Sequence, residues 1–426
     1  MELTKNIIFK IQSGDFDDRL LDIYVDENVL DYQKERYIKA IKKYEELYGE
    51  GEVEIYSAPG RSEVGGNHTD HQRGQVLACG LNLDVIAIVS KTNDDIIKIV
   101  SDDYNIKDIN VNDLSKKDSE ENTSESLIRG VAKRLKDEGY TVGGFKTFMT
   151  SDVLRGSGMS SSAAFEVAIG TIISGLFNNM EISPVFIAQA SQYAENVYFG
   201  KPSGLMDQMA SSVGSLVNID FKDTKNPVIK KVDVDFAKFS HSLCIVDTKG
   251  SHADLTPEYA AVPIDMKKVA AYFGKEVLRE VDEDEFYANI SDIREKVGDR
   301  PVVRAMHFFF DHNTVTKEVN ALEAGDFEEF KKHISASGNS SFKYLQNVYP
   351  ASDVANQGLS VGLGVSERIL AGKGAVRVHG GGFAGTIQAF VPNDMVSEYR
   401  EEMDKLFGEG SCHVLKVRKY GGMKVL

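Results

Sequence analysis

The chain has 426 residues, of which 42% are apolar, and because this exceeds what one ordinary core requires, we expect two closely packed domains. Its 65 acidic and 49 basic residues give a formal net charge of −16, which argues against nucleic-acid or membrane partners. Its three cysteines are widely separated and form no CxxC pair, which indicates a reducing, cytoplasmic location without a disulfide framework or thiolate metal site. The amino terminus lacks the apolar core of a signal peptide, and no apolar run reaches the roughly 18 residues that span a bilayer, so we expect a soluble protein.

The predicted elements alternate between helices and strands along the chain. Helical patterns occupy residues 16–50, 127–136, 161–177 and 301–348. Strand patterns occupy residues 53–56, 81–90, 97–100 and 144–149, and residues 218–246 are rich in further strand signals. The last fifty residues or so predict a strand, a glycine turn, a strand, a helix and a strand. We therefore predict an α+β fold with two domains, residues 1–215 and residues 216–426.

A glycine- and serine-rich loop joins the strand at 144–149 to the apolar helix at 161–177. It reads RGSGMSSSAA from residue 155 to residue 164. Small residues let the backbone approach a phosphate closely, and the amides at the start of the next helix present the positive end of its dipole. No GxxxxGK[ST] pattern is present, so this is not a Walker A loop. Taken alone, the segment supports a phosphate-binding loop and an ordinary serine-capped loop equally.

Two further motifs favour the phosphate-binding interpretation. The first motif, residues 58–71, reads APGRSEVGGNHTDH, and the third motif, residues 378–385, reads VHGGGFAG. Together with the glycine-serine loop, in this order, they resemble the galactokinase branch of the superfamily that also contains homoserine, mevalonate and phosphomevalonate kinases. The family's motifs read approximately APGRxNLIGEHTDY, GxGLSSSA and GxGFGG. The resemblance implies an amino-terminal ribosomal-protein-S5-like α/β domain, a ferredoxin-like carboxyl-terminal domain, and an active site between them.

The resemblance also implies the nucleotide and metal sites. The loop would bind ATP through Gly156, Ser157, Gly158, Met159, Ser160, Ser161 and Ser162. The Ser162 hydroxyl and the Glu195 carboxylate would bind Mg²⁺, an ion that prefers hard oxygen ligands. The turn at residues 380–385 would support the loops around the nucleotide.

The catalytic residues implied by the resemblance are Asp207 and Arg61. Asp207 follows Glu195 by twelve residues and lies in the segment GLMDQ at 204–208, as the family's catalytic aspartate follows its magnesium ligand. An isolated aspartate would more often be an exposed residue or a helix cap, but this segment and the other motifs favour catalysis. Asp207 would accept or orient the proton of the sugar's anomeric hydroxyl, while Arg61 would steady Asp207 and the transferring phosphoryl group.

The first motif and one tyrosine are the predicted sugar site. The residues implied by the resemblance are Asn67, His68, Thr69, Asp70 and Tyr259. We interpret the His68 ring as structural, with its backbone near the sugar. Asp70 would accept strong, charge-assisted hydrogen bonds from sugar hydroxyls. Tyr259, in the segment PEYA at 257–260, resembles a family tyrosine that contacts the sugar from the second domain.

Two residues of the first motif depart from the family pattern. Asn67 stands where the family usually has glutamate, and His71 replaces a tyrosine. A glutamate would repel a sugar acid, because two like charges about 4 Å apart repel by roughly 4 kcal/mol at an effective dielectric constant near 20. Asn67 removes that repulsion, so galacturonate is a serious alternative substrate, as is an N-acetylated amino sugar. An amide can also bond a galactose hydroxyl, and galactose stays the leading predicted substrate.

Two other functions fit the chain less well. A sensor that binds galactose and ATP without catalysis is disfavoured because the serine-rich loop, Arg61, Glu195 and Asp207 are all present. A kinase for homoserine or a mevalonate-type alcohol is disfavoured because the His68-Thr69-Asp70 element belongs to the galactokinase branch. We predict small-molecule ligands, ATP and a sugar, and leave the oligomeric state open.

Overall fold

The structure, a computed structural model, describes residues 1–102, 104–153, 158–201, 203–232, 234, 236–250 and 255–426. Its strands are β1 (Glu2–Leu3), β2 (Glu52–Gly65), β3 (Gln75–Lys91), β4 (Ile96–Ser101), β5 (Tyr104–Asn105), β6 (Ile109–Asn110), β7 (Phe145–Ser151), β8 (Leu216–Asp220), β9 (Val228–Val232), β10 (His241–Asp247), β11 (Ala375–His379), β12 (Thr386–Pro392), β13 (Cys412–Leu415) and β14 (Met423–Lys424). Its α-helices are α1 (Thr4–Ser13), α2 (Asp17–Tyr24), α3 (Leu30–Tyr48), α4 (Ser124–Asp137), α5 (Ser161–Asn178), α6 (Pro184–Tyr193), α7 (Met206–Val213), α8 (Thr256–Tyr272), α9 (Glu283–Ala288), α10 (Ile290–Val297), α11 (Asp299–Glu323), α12 (Phe327–Ser340), α13 (Gly358–Leu370) and α14 (Val396–Phe407). Two π-helical turns cover Ala194–Phe199 and Ser341–Leu345.

Two sheets organise the described part of the chain. The larger one follows the order β1-β2-β3-β7-β4-β5, with β14 beside β2, β6 beside β4, β8 beside β3 and β9 beside β8. The smaller sheet has the order β11-β12-β10-β13. This mixture of helices and strands confirms the predicted α+β class.

The central hairpin β2–β3 is buried on both faces. Because successive side chains of a strand point in opposite directions, Ile86 and Ile88 pack against the amino-terminal helices, whereas Val85, Ala87 and Val89 join the core that contains α5. Helix α3 supplies its side of this contact at helical spacing, with Tyr37, Ala40, Ile41 and Tyr44 buried together with Arg36. Helices α1, α2 and α3 therefore form a helical layer on the sheet.

A buried polar network fixes this helical layer to the sheet and to the carboxyl terminus. The Asp84 carboxylate has no exposed surface and accepts hydrogen bonds from Arg36 (2.7 Å), Arg418 (2.8 Å) and the Tyr24 hydroxyl (2.9 Å). The Ser57 hydroxyl also donates to it. Burial disfavours the charge, but the two arginines hold the pKa of Asp84 below its ordinary value.

The predicted division at residues 215 and 216 falls immediately before β8. Strands β8 and β9 pair within the larger sheet, and the terminal strand β14 returns to β2. Helix α11 packs against α8, α12 and β3. The two-domain boundaries stay a prediction.

Helix α5 is long and apolar enough to cross a membrane by length and composition alone. However, 61% of it is buried inside the protein, where it packs against β2, β3, α4 and α6. We interpret α5 as a core helix that carries the glycine-serine loop at its amino terminus.

Candidate active site

The glycine-serine loop lies against the first motif. The Arg61 amide donates to the Met159 carbonyl (3.2 Å), so the loop runs alongside β2. Ser160 precedes the first residue of α5 with φ of 53°, in the left-handed region that serine rarely adopts, and such strain is concentrated at functional sites. Its hydroxyl donates to the Asp207 carboxylate.

The predicted ATP-binding residues have different environments. Gly156 and Ser157 lie outside the described residues. The Met159 side chain is fully buried in the hydrophobic core, whereas Ser161 and Ser162 line a cavity of about 550 Å³. Apolar side chains, including Leu127, Phe165 and Phe199, form another part of the same cavity.

Arg61 and Asp207 form a two-pronged ion pair. The Arg61 Nε and Nη2 atoms each donate to a different oxygen of Asp207 at 2.7 Å, and Nη1 donates to the Gly158 carbonyl. The Asp207 side chain is 33% exposed and lies in the first turn of α7, where the helix dipole favours a negative charge. Burial opposes this charge, but Arg61 and the hydrogen bond from Ser160 hold the pKa of Asp207 below its ordinary value. The carboxylate is therefore ionised at neutral pH and reachable by a ligand.

Glu195 is the centre of a second cluster, in the π-helical turn that follows α6. Its Oε1 atom pairs with Lys201 Nζ (2.8 Å), and its Oε2 atom accepts hydrogen bonds from Ser203 (2.6 Å) and Gln208 Nε2 (2.8 Å). Gln208 also donates to buried Glu166 (3.3 Å). Since Gln208 directly follows Asp207, this amide connects the two clusters.

The Glu195 cluster contains an excess of acid. The Glu166 Oε1 atom is buried without a hydrogen-bond partner among the described residues, and burial together with Glu195 raises the pKa of Glu166 well above its ordinary value. Glu195 and Ser162 line the same cavity and both offer hard oxygen ligands. Within the described ranges, no group of three His, Cys, Asp or Glu side chains that could hold a metal is present. A cation at this position would therefore need further oxygen ligands that the protein side chains do not supply, such as those of a bound nucleotide or of water.

Asn67 is buried and its side-chain amide is occupied by protein groups. Its Nδ2 atom donates to Glu63 (2.9 Å) and to the Gly380 carbonyl (2.7 Å). Its Oδ1 atom accepts from Asn347 (2.8 Å) and from Ser341 (3.3 Å). The side chain has no exposed surface, so in this structure it joins the first motif to the third and offers no atom to a sugar.

His68 and Thr69 also bind protein groups. The His68 Nε2 atom lies 2.9 Å from the Gly381 carbonyl, and burial followed by the neighbouring His71 lowers the pKa of His68 to about 4. The Thr69 hydroxyl contacts the carbonyls of Gly66 (2.9 Å) and Gln75 (2.6 Å). Both side chains thus hold the motif in its conformation.

Asp70 is the member of the first motif that presents a partly exposed carboxylate. Its side chain is 15% exposed, and its Oδ1 atom accepts from the His71 amide (2.9 Å). Its Oδ2 atom lies so close to Gly204 that any side chain there would overlap it. The GLMDQ segment therefore contacts Asp70 at its first residue and carries Asp207 three residues later.

Tyr259 contacts the turn of the third motif. Its hydroxyl donates to the Gly382 carbonyl (2.9 Å), and a Cβ atom on Gly381 would lie 2.6 Å from its ring. Burial raises the pKa of Tyr259 to about 12. Asn67 and His68 bind the same turn, and Arg61 binds the glycine-serine loop, so the three motifs meet around one region, with Tyr259 against the third.

Several residues of the site were not singled out from the sequence. Gln208 is the last residue of the GLMDQ segment, and its position directly after Asp207 is the sequence feature that could have indicated a role in the site. Lys201 and Glu166 had no signal of their own. The Glu63–Arg377 ion pair (2.8 Å), buried beside Asn67, joins residues 314 positions apart, a contact that local spacing does not reveal.

Comparison with known families gives two matches to this chain. Residues 126–215 match the family model of the GHMP kinases N terminal domain, and residues 42–91 match the galactokinase galactose-binding signature. Among curated proteins, the galactokinase of Glaesserella parasuis is 29% identical over 361 residues, which cover 84% of this chain and 90% of that protein. The galactokinase of Streptomyces coelicolor is 28% identical over 378 residues, 88% of this chain and 94% of its own length.

Solved structures show the same fold. The structure of Lactococcus lactis galactokinase complexed with galactose has a TM-score of 0.75, is 23% identical, and matches over 90% of this chain and 98% of its own. The mevalonate kinase of Methanococcus jannaschii has a TM-score of 0.61 at 15% identity, over 86% of this chain and 99% of its own.

Proposed function

Because this chain belongs to the galactokinase branch of the GHMP kinase family, we propose that it transfers the γ-phosphoryl group of ATP to the anomeric hydroxyl of galactose. The observation that carries the proposal is the Arg61–Asp207 ion pair. The Ser160 hydroxyl also donates to Asp207, and Ser160 directly precedes the two loop serines that line the cavity. Phosphoryl transfer depends mainly on positioning and charge neutralisation, and this arrangement supplies a fixed, ionised carboxylate next to a candidate nucleotide cavity.

Asp207 is the proposed proton acceptor for the sugar hydroxyl. Its depressed pKa makes it a weak base, which suits a reaction in which the hydroxyl proton leaves late and orientation of the nucleophile matters most. Its exposed fraction of 33% allows direct contact with a substrate hydroxyl.

Arg61 acts through Asp207. Each of its three guanidinium nitrogens already donates, two to Asp207 and one to the Gly158 carbonyl, and its side chain is only 8% exposed. We therefore propose that Arg61 is a positioning residue that keeps Asp207 ionised and oriented, and that fixes the loop at Gly158.

ATP is the phosphoryl donor, and we propose Mg²⁺ as its counterion. Ser162 and Glu195 would hold the ion, a choice supported by their oxygen donors on one cavity and by the unpartnered Glu166 Oε1 nearby. When bound, the ion would neutralise charge on the β- and γ-phosphates. Lys201 now neutralises Glu195, and Gln208 holds the carboxylate in a fixed orientation.

For the sugar, we propose direct contacts from Asp70 and Tyr259, with Asn67, His68 and Thr69 as supports of the motif. Asn67 gives no reason to prefer a sugar acid, because its amide is bound by protein groups and lies 2.9 Å from the Glu63 carboxylate. Galactose is accordingly the proposed substrate. We also propose a cytoplasmic location, supported by three free, buried cysteines.

The test is an ADP-release assay with MgATP and, separately, galactose, galacturonate, N-acetylgalactosamine and glucose. We expect turnover with galactose, and a loss of turnover in Asp207→Asn while nucleotide binding is kept. Preference for galacturonate would refute the substrate, and activity of Asp207→Asn equal to that of the unaltered protein would refute the role of Asp207.

A further inference from the structure

A pocket of about 250 Å³ lies outside the active site, between the start of α11 and residues 346–351. Arg300 and Arg304, one helical turn apart, line it together with Gln346, Val348 and the aromatic side chains Phe342 and Tyr349. Arg304 is only 2% exposed, whereas the Arg300 side chain, at 49%, is open to solvent and to a ligand.

The positive charges of this pocket are incompletely neutralised by the protein. The Asp265 Oδ2 atom accepts from Arg300 Nε (2.7 Å) and Arg304 Nη1 (2.9 Å), and Asp265 Oδ1 accepts from Lys268 (3.1 Å). Three cations therefore share one carboxylate. Glu258 also lines the pocket and accepts from Ser352 (3.1 Å), so the lining itself carries one positive charge in excess. The Asp265 carboxylate beside it is shared with Lys268, a lysine outside the lining whose side chain is 51% exposed.

Both arginines have N–H groups that donate to no described residue. Neither Nη atom of Arg300, nor the Nη2 atom of Arg304, has a hydrogen bond to any described residue. Burial and the neighbouring Arg300 also hold the pKa of Arg304 below its ordinary value, as expected for a guanidinium that lacks full compensation. A guanidinium fork of this kind matches the oxygens of a phosphate.

We propose that this pocket binds a phosphate group, and that the preferred ligand is a sugar phosphate. Arg300 and Arg304 bind the phosphate, while Phe342 and Tyr349, whose ring centroids lie 6.4 Å apart, provide an apolar wall for the face of a sugar ring. Galactose 1-phosphate is the sugar phosphate that the enzyme itself would release, so this choice of ligand rests on the proposed function. Binding of the phosphate group does not.

The pocket is connected to the sugar site. Gln346 and Val348 of its wall flank Asn347, whose Nδ2 atom donates to Asn67 (2.8 Å) and to the Gly381 carbonyl (3.1 Å). Arg304 itself donates to the Leu345 carbonyl (3.2 Å) at the start of this segment. Occupancy of the pocket therefore acts on the segment that supports the first and third motifs, and changes the affinity for galactose.

The experiment is calorimetric titration of the full chain, with its active site filled by galactose and a non-hydrolysable ATP analogue. Inorganic phosphate and galactose 1-phosphate are titrated separately. We expect both to bind, galactose 1-phosphate more tightly, and Arg300→Gln to weaken both by about tenfold or more. Phe342→Ala should remove only the advantage of the sugar phosphate. Arg368→Gln, the same charge change at an exposed position on α13, should have no effect.

Arg304→Lys is the second variant, because it keeps the buried charge opposite Asp265 but loses the fork. The proposal that the pocket binds phosphate would be overturned if neither ligand bound the unaltered protein, or if Arg300→Gln bound both ligands as tightly as the unaltered protein does. A galactose dissociation constant that inorganic phosphate leaves unchanged in the unaltered protein would overturn the connection. The titration with inorganic phosphate involves no turnover. It therefore still measures binding to the pocket if the protein does not phosphorylate galactose.

Discussion

Removal of the Asp207 charge gives the sharpest test of the mechanism. Asp207→Asn keeps the size of the side chain but eliminates the proposed proton acceptor and the ion pair with Arg61. Positioned acid–base groups contribute about 10²- to 10⁴-fold, so kcat should fall by that factor, which corresponds to about 2.7 to 5.4 kcal/mol. Arg61→Gln should also lower kcat, because both 2.7 Å bonds that orient Asp207 are lost.

The double variant separates the two roles of Arg61. If Arg61 acts only by holding Asp207, then once Asp207 is changed the second substitution has little left to remove, and the double variant should resemble Asp207→Asn. Steady-state ADP release with galactose measures kcat, and binding of a nucleotide analogue shows that each variant is folded. A loss in the double variant equal to the product of the two single losses would mean that Arg61 contacts the phosphoryl group itself.

A matched control is available on the surface. Arg294 and Asp299 form a 2.6 Å ion pair with side chains 59% and 72% exposed. Exposed pairs contribute about 0 to 1 kcal/mol to stability, so Arg294→Gln and Asp299→Asn should leave kcat unchanged.

Three further predictions follow from buried groups. In Arg61→Gln, the acid limb of kcat/KM should move to higher pH, because the group that lowers the pKa of Asp207 is gone and burial then raises it; an unmoved limb would contradict this. Gln208→Leu should raise the Mg²⁺ concentration for half-maximal activity by about tenfold or more, because the Glu195 carboxylate loses a 2.8 Å donor. Asp84→Asn should reduce the free energy of unfolding by about 3 to 5 kcal/mol in denaturant titrations, because two buried arginines lose their counter-charge. An Asp84→Asn variant of unchanged stability would show that the helical layer does not depend on this network.

Local patterns predicted the elements on either side of the glycine-serine loop well. The strand predicted at 144–149 and the helix predicted at 161–177 correspond to β7 (Phe145–Ser151) and α5 (Ser161–Asn178). Both depend on periodicity and composition within one segment, which is why the sequence reveals them. The same holds for the last fifty residues, where strand, turn, strand, helix and strand match β11, β12, α14 and β13.

Pairing between distant segments was not predictable in this way. The strand-rich region 218–246 supplies β8 and β9 to the larger sheet but β10 to the smaller one. The helical pattern of residues 16–50 predicted α2 and α3 but gave no indication that they cover the second face of the β2–β3 hairpin. That contact depends on which face of a distant strand is left apolar, and a single segment carries no such information.

Asn67 shows the same limit at the level of one residue. Motif alignment places it among sugar contacts, yet the groups that bind its amide come from residues 341, 347 and 380, at the other end of the chain, as well as from Glu63. A glutamate here would set a second carboxylate beside Glu63, which already relies on Arg377 (2.8 Å) for its counter-charge in a site closed to water. Burying a further unpaired charge costs several kcal/mol, so an amide is the side chain that this arrangement accepts. The substitution therefore follows from how the first motif is anchored to the third, and Asp70 and Tyr259 are the side chains that we propose to select the sugar.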